Sequence, residues 1–490
     1  RSFKCIPKMF SEWILVKRAL PFDKNRSVDQ AICFSKACVC RNDLFFWKTS
    51  MAFALIPSFI SLALLFWWRS VVLFKRTVED VPTSKVKGVF YGLNEVKGSV
   101  KSDAPLQTYL TEGPSVWYEW SISEHWRKTE TYRDKDGKRK TRTKSGWRTV
   151  DSGGSYQSFF LMDDTGELLI EPEGAKVEAP TTMSYSCTPS DSLYYGKGPD
   201  GAIAHSTYRR RFSERSLTPG DDLYVLGPAK LREEVAQPMI AQSKEARYFF
   251  ISTKSEAQII RSKSIWAFFI MLFSFVAALA SPVVAISVET GMEPQEVFRE
   301  KPGWVVLSGV VFLAVAGLFY LSLLYNGLIR VRNRLTHALG LIEIQLKRRY
   351  DLIPRLLECV QGISEYEREV QKLVASVRSS AGNLAGREAG EMGEEINQGA
   401  GLVGGLFALS EKYPNLSADQ NYASFMKELV DTEDRIALAR AFYNDSVLAL
   451  QDRLLTFPDV LVAKWFRFRA GKNLGLHPDP EMAQVPRVSL

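Results

Sequence analysis

Six cysteines and four histidines are the side chains best suited to nucleophilic or metal chemistry, and their spacing supports neither. Cys5, Cys33, Cys38 and Cys40 crowd the first forty residues, while Cys187 and Cys359 stand alone further on. Zinc ribbons and RING modules need paired thiolates in CxxC spacing so that four ligands can close a tetrahedron, and no such pair occurs. His125, His205, His337 and His477 are scattered. A disulfide framework is also disfavoured, which fits a reducing compartment. No glycine-rich phosphate loop, GxSxG elbow or HExxH pair is present. Asp163 and Asp164 precede Thr165-Gly166, a pattern read as a capped turn rather than a metal loop. No catalytic residue, cofactor site or metal site is therefore assigned.

Binding chemistry is better represented. Between Arg127 and Arg148 lie ten Lys or Arg and three acids, bordered by Trp126, Tyr132 and Trp147. Arg139, Lys140, Arg142 and Lys144 are candidates for contact with lipid or a protein partner. The plain alternative is a solvated β-hairpin whose lysines guard its edges, and nucleic acid is the least favoured partner. Arg209, Arg210 and Arg211 could extend the same patch. A second candidate is Asp459–Arg469, DVLVAKWFRFR, where Lys464, Arg467 and Arg469 alternate with Trp465, Phe466 and Phe468. This composition suits a membrane interface, with ordinary packing against neighbouring helices as the alternative.

The elements that position these residues begin with three apolar runs, assigned as transmembrane helices at 51–74, 264–288 and 302–329. The uncharged stretches are Met51–Trp68 (18 residues), Ser264–Val288 (25) and Pro302–Ile329 (28), close to or above the roughly 20 residues that cross a bilayer. Arg69, Lys75 and Arg76 follow the first, Arg261 and Lys263 precede the second, and Arg330, Arg332 and Arg334 follow the third. This basic collar predicts an outward N-terminus, a short acidic outer hairpin, and two large domains in the cytosol. Residues 1–50 read as a non-native or disordered extension, with Met51 as the start. The net charge of +8 is local rather than spread over the chain.

Residues 77–262 read as β, with runs at Ser115–Ile122, Ser158–Ile170 and Leu223–Leu226 and a long hairpin turning at Asp136-Gly137. After the third span, Leu328, Val331, Leu335, Ala338, Ile342 and Leu346 form a helical stripe. Asp351 and Pro354 read as the start of a second helix, extending to about Leu384, so that Lys347, Arg348 and Arg349 end the first. Glycines at 399–405 are expected to interrupt a weaker helix. A long helix follows from about Asp419 to Leu455, with Phe425, Leu429, Thr432, Ile436, Ala439, Tyr443, Val447, Leu450 and Leu454 on its stripe. Residues 470–490 are expected to be a disordered tail.

Two resemblances follow from quoted motifs. QLKRRYDLIP (Gln345–Pro354), Tyr325-Asn326, AFYND around Tyr443-Asn444, and Phe457-Pro458 resemble the LemA family over about residues 320–468. VKGSVKSDAPL (96–106), FFLMDDTGELLIEPEGA (159–175), LTPGDDLYVLG (217–227) and FFISTKSEAQII (249–260) resemble the GIDE, or "beside a membrane", domain. The resemblance implies a multi-domain membrane protein with three transmembrane helices, a β-rich GIDE-like domain and an all-α LemA-like antiparallel bundle at 326–468. It marks Tyr325, Asn326, Gln345, Lys347, Arg348, Arg349, Asp351, Pro354, Glu433, Arg440, Tyr443 and Asn444 as structural motif positions, and Asp163, Gly166, Pro172, Gly220 and Gly227 likewise. The polar positions of the long helix are expected to pair with one another. The best-known GIDE proteins are ubiquitin ligases, but their chemistry needs a RING, and a fold does not carry activity with it. The expected function is a non-enzymatic scaffold or adaptor of a bacterial inner membrane that meets membrane lipids and self-associates. A ligase-like transferase or an accessory subunit of a membrane protease is the alternative.

Overall fold

The computed structural model describes residues 56–134, 138–232, 237–244, 247–361, 389–412, 419–469 and 474. Helix α1 (Ile56–Asp80) leads into a β region. Its elements are β1 (Thr83–Ser84), a 3-10 turn (Val86–Gly88), β2 (Gly92–Lys101), β3 (Leu106–Gln107), β4 (Pro114–Ser115), β5 (Trp117–Arg133), β6 (Arg139–Tyr156) and β7 (Phe159–Met162). They continue through β8 (Glu167–Ile170), β9 (Lys176–Glu178), β10 (Thr181–Cys187), α2 (Ser192–Gly196), β11 (Ser206–Leu217), β12 (Asp222–Leu231), β13 (Pro238–Ile240) and β14 (Phe250–Ser252). Helices follow: α3 (Glu256–Thr290), α4 (Pro294–Glu300), α5 (Pro302–Gln361), α6 (Ala389–Lys412), α7 (Gln420–Leu455) and α8 (Asp459–Trp465). The N-terminal extension and the tip of the 133–139 hairpin lie outside the described residues.

Helices α1, α3 and α5 are each long and apolar enough to cross a membrane. Residues 56–66 and 270–316 form one compact unit. Within it Ser61 Oγ donates to the Ser274 carbonyl (2.9 Å) and Ser274 Oγ to the Ser61 carbonyl (2.8 Å), so small residues let two helices approach closely. Phe275 and Phe312 bring α3 and α5 together at a centroid distance of 5.5 Å.

The second unit holds the described residues of 67–269 and 317–474. Its larger sheet runs β1-β2-β7-β8-β13-β12-β14-β9, and an additional β2–β12 pairing closes β2, β7, β8, β13 and β12 into a ring. Val96, Leu161, Ile170, Val225 and Ile251 are among the residues filling its core. Strand β12 is apolar on both faces. Leu223 and Val225 join that core, while Tyr224 and Leu226 pack with Val78 and Val81 near the end of α1 and with Ile259 of α3. A strand covered on both sides reads as a continuous apolar run, as Leu223–Leu226 does. A Cβ at Gly227 would stand 2.7 Å from Ile240 Cγ2, and Gly220 turns the chain into β12 at φ +94°. A four-stranded sheet, β10-β11-β5-β6, carries the long basic hairpin.

In the helical region Leu328, Val331, Leu335, Ala338, Ile342 and Leu346 of α5 all enter one core with Ile436, Ala439, Tyr443, Val447 and Leu450 of α7. Three expectations change here. Helix α5 does not stop at Asp351, because Leu352, Ile353 and Leu356 continue the buried stripe through Pro354 and packing outweighs the lost hydrogen bond. At 60 residues it is about 90 Å long, so the same helix that begins as a candidate span becomes the core of the helical region. Helix α6 runs unbroken through Gly399–Gly405. Leu474, inside the expected tail, is fully buried in the same core. The rest of the expected second helix, beyond Gln361, lies outside the described residues.

Candidate functional site

The basic collar is the site where the elements of the second unit meet. Near the end of α1, Arg76 Nη1 donates to Asp459 Oδ1 of α8 (3.2 Å), and its guanidinium lies 5.6 Å from the Tyr320 ring of α5. One turn later Asp80, buried, faces Arg453 of α7, whose Nη2 stands 2.5 Å from Oδ1. Arg334 of α5 donates to the Asp80 carbonyl, and Arg453 also lies 3.5 Å from Asp459 Oδ2. Arg76 and Arg334 of the collar, with Asp80, Arg453 and Asp459, thus form an ionic knot joining α1, α5, α7 and α8. Buried charge of this kind is sustained only when each partner is present.

The β region joins the same assembly. Lys87, on the 3-10 turn, bridges Asp431 (3.2 Å) and Asp434 (2.7 Å) of α7, and Gly88 packs against Leu438. Phe90 packs on the helical core. Within the β region, burial pushes the Glu95 carboxyl up, although Thr83 (2.6 Å) and Tyr224 (2.7 Å) donate to it. The Tyr224 hydroxyl is pushed up by the same burial and by Glu95. On the other sheet Arg210 is fully buried. It donates to Glu124 (3.1 Å) and to the carbonyls of Tyr194 (2.7 Å), Pro199 (2.7 Å) and Gly201 (2.9 Å). It therefore shapes a loop and does not extend the surface patch, because strand alternation turns it inward between exposed Arg209 and Arg211.

Helix α8 places the aromatic segment beside this knot. Val462 and Ala463 are buried against the helical core, and Tyr325 meets Phe466 (4.6 Å) and Phe468 (5.9 Å). Trp465 is 84% exposed, Phe457 74% and Leu461 59%, so the outer side of this segment carries large apolar side chains. Arg467 sits at φ +53°. The packing reading of this segment holds for its buried face, and the opposite face is exposed.

The basic hairpin is a long paired arm, registered from Trp117↔Tyr156 to Arg133↔Arg139. Lys144 pairs with Glu130 (3.1 Å) and Lys140 with Asp134, while Arg139 and Arg142 are exposed. Asp163 caps its turn by accepting from Thr165 N (2.7 Å) and Gly166 N (3.1 Å), and Oδ2 accepts from Val86 N (2.9 Å). Pro172 is buried, and its carbonyl accepts from Ala175 N (3.0 Å) in the next turn.

The helical motif residues have other partners than expected. Arg349 does not cap a helix end. It is fully buried, with Nη1 3.4 Å from both Glu433 Oε1 and the Ile396 carbonyl. Lys347, Arg348, Asp351, Pro354 and Asn326 are exposed, and Gln345 is buried. Arg440 and Asn444 reach the chain beyond α8 rather than Glu433: both approach the Leu474 carbonyl (3.4 and 3.5 Å), and Asn444 Oδ1 accepts from Leu474 N (3.1 Å). Tyr443 is buried in the core. Asp80 and Arg453 were not singled out in sequence, since an acid after a basic collar gives no local sign of a partner over 370 residues away. Among the described residues no three His, Cys, Asp or Glu side chains gather as metal ligands.

Comparison with known proteins gives two family matches. Residues 338–490 match the model of the LemA family, and residues 127–286 match the GIDE model, described as E3 ubiquitin ligase. Protein LemA of Metamycoplasma hominis is 26% identical over 148 residues, covering 30% of this chain and 67% of the relative. The chain thus carries a LemA segment and a GIDE segment.

Proposed function

We propose that this membrane-associated chain is a coupling scaffold of a bacterial cytoplasmic membrane, with its β domain and an antiparallel LemA-type bundle acting as one cytosolic body. The observation that carries this reading is the ionic knot of Arg76, Asp80, Arg334, Arg453 and Asp459, which ties the helical region to the foot of α1. The three collars point to an outward N-terminus. A cysteine at the exposed Lys144, tested with an impermeant maleimide on intact cells, should stay unlabelled until the membrane is opened. Labelling of intact cells would reverse the orientation.

In this reading the exposed face of α8 lies in the interfacial layer of the inner leaflet. With the full chain in nanodiscs, brominated lipid should quench wild-type tryptophan fluorescence more than that of Trp465→Phe. Equal quenching would remove α8 from the bilayer. The description of the GIDE match supplies a second reading, a ligase-like transferase. Reconstituted conjugation with the full chain tests it, and transfer above background would displace the scaffold reading.

A further inference from the structure

A cleft of about 420 Å³ opens beside the knot, within the range of small-ligand sites. Its walls come from α1, β2, β12, α5, and Ser243, Arg247 and Tyr248 between β13 and β14. Among the described residues Lys230, Arg247, Arg330 and Arg334 line it with one acid, Asp80, which Arg453 already engages. Arg334 is likewise committed to the Asp80 carbonyl. Arg330 is not: its Nη2 is buried with no hydrogen-bond partner. A buried guanidinium nitrogen left unmet is costly, and the excess of cationic over acidic side chains among the described lining residues compounds that cost.

We propose that this cleft seats a phosphate-bearing anion, either an anionic phospholipid headgroup or a soluble phosphate ester. A phosphate offers several acceptor oxygens to guanidinium forks, which matches Arg330 and Arg247 better than a carboxylate of a single side chain. Tyr248, 5.7 Å from the Arg247 guanidinium, adds an aromatic wall. The cleft lies along Leu73, Thr77 and Asp80 of α1, where that helix leaves its apolar stretch, the depth at which basic pockets between helices meet headgroups. The lipid source rests on the membrane-spanning reading, whereas the phosphate site does not.

The test uses the full chain in nanodiscs of phosphatidylcholine with and without phosphatidylglycerol, followed by native mass spectrometry of retained lipid. Wild type should retain phosphatidylglycerol in preference, and Arg330→Gln/Arg247→Gln should lose that preference about tenfold. Lys230→Gln on β12 should weaken it in the same direction without altering α5, and Arg332→Gln, exposed and outside the cleft, should leave it intact. Glycerol phosphate at millimolar concentration, tested by competition and directly on lipid-free protein, separates the sources. Displacement or direct binding that needs Arg330 assigns a soluble ester, and resistance assigns the lipid. The proposal is overturned if wild type prefers neither anion, or if Arg332→Gln loses as much as the cleft variants. Liposome flotation of each variant scores membrane association separately, so failure of the cleft with flotation intact leaves the scaffold reading standing.

Discussion

A Cβ at Gly399 would overlap the guanidinium of Arg349, so the glycine in α6 is the seat of a buried cation from α5. Gly399→Ala should cost about 1–3 kcal/mol by overpacking. Arg349→Ala should cost about 3–5 kcal/mol, because it leaves Glu433 half of a buried pair. Denaturant midpoints check both, and adding Glu433→Gln to Arg349→Ala should recover part of the loss. The sequence marks Arg349 as a motif position but not as buried: three consecutive basic residues look alike until the helix phase is fixed. Glu95 makes a pH prediction. Its carboxyl lies above the ordinary 4.5, so the folded state binds more protons than the unfolded state in the window above that value, and stability falls as pH rises through it. Glu95→Gln removes that titration. Its melting temperature relative to wild type should therefore rise with pH from 4 upward; a constant difference would contradict the assignment.

At the scale of elements, the stripes of α5 and α7 were legible because 3.6-residue periodicity is a local property, and those residues are the ones that pack. The continuity of α5 was not legible. Asp351 and Pro354 are sound start signals taken alone, and only burial of Ile353 and Leu356 against Leu429, Met426 and Tyr422 overrides them. The knot was hidden for a related reason, since ion pairs across elements leave no periodic trace. Arg453→Gln should destabilise by about 3 kcal/mol, because Asp80 then loses its closest cation. Asp80→Asn in the same chain should restore most of that stability. Additive losses in thermal unfolding would show that the two residues do not act as a pair.

For the whole molecule, the sequence supplied the segments, and the structure adds that the β region and the helical region touch. Lys87, Gly88 and Phe90 lie against α7 or the helical core, and Arg453 returns from α7 to the foot of α1. No sequence pattern predicts that contact, because each face is compatible with solvent when considered alone. A scaffold that transmits position between membrane and cytosol requires the two regions to move as one, and this is the claim most exposed to test. A Cβ at Gly88 would stand 3.2 Å from Leu438 Cβ, close to the roughly 3.5–4.5 Å of disulfide geometry. With the six native cysteines replaced by serine, Gly88→Cys/Leu438→Cys in native membranes should cross-link rapidly under mild oxidation. Gly88→Cys/Leu448→Cys, about 15 Å further along α7, should not. Equal rates for the two pairs would mean that the regions are not held together and would contradict the coupling account.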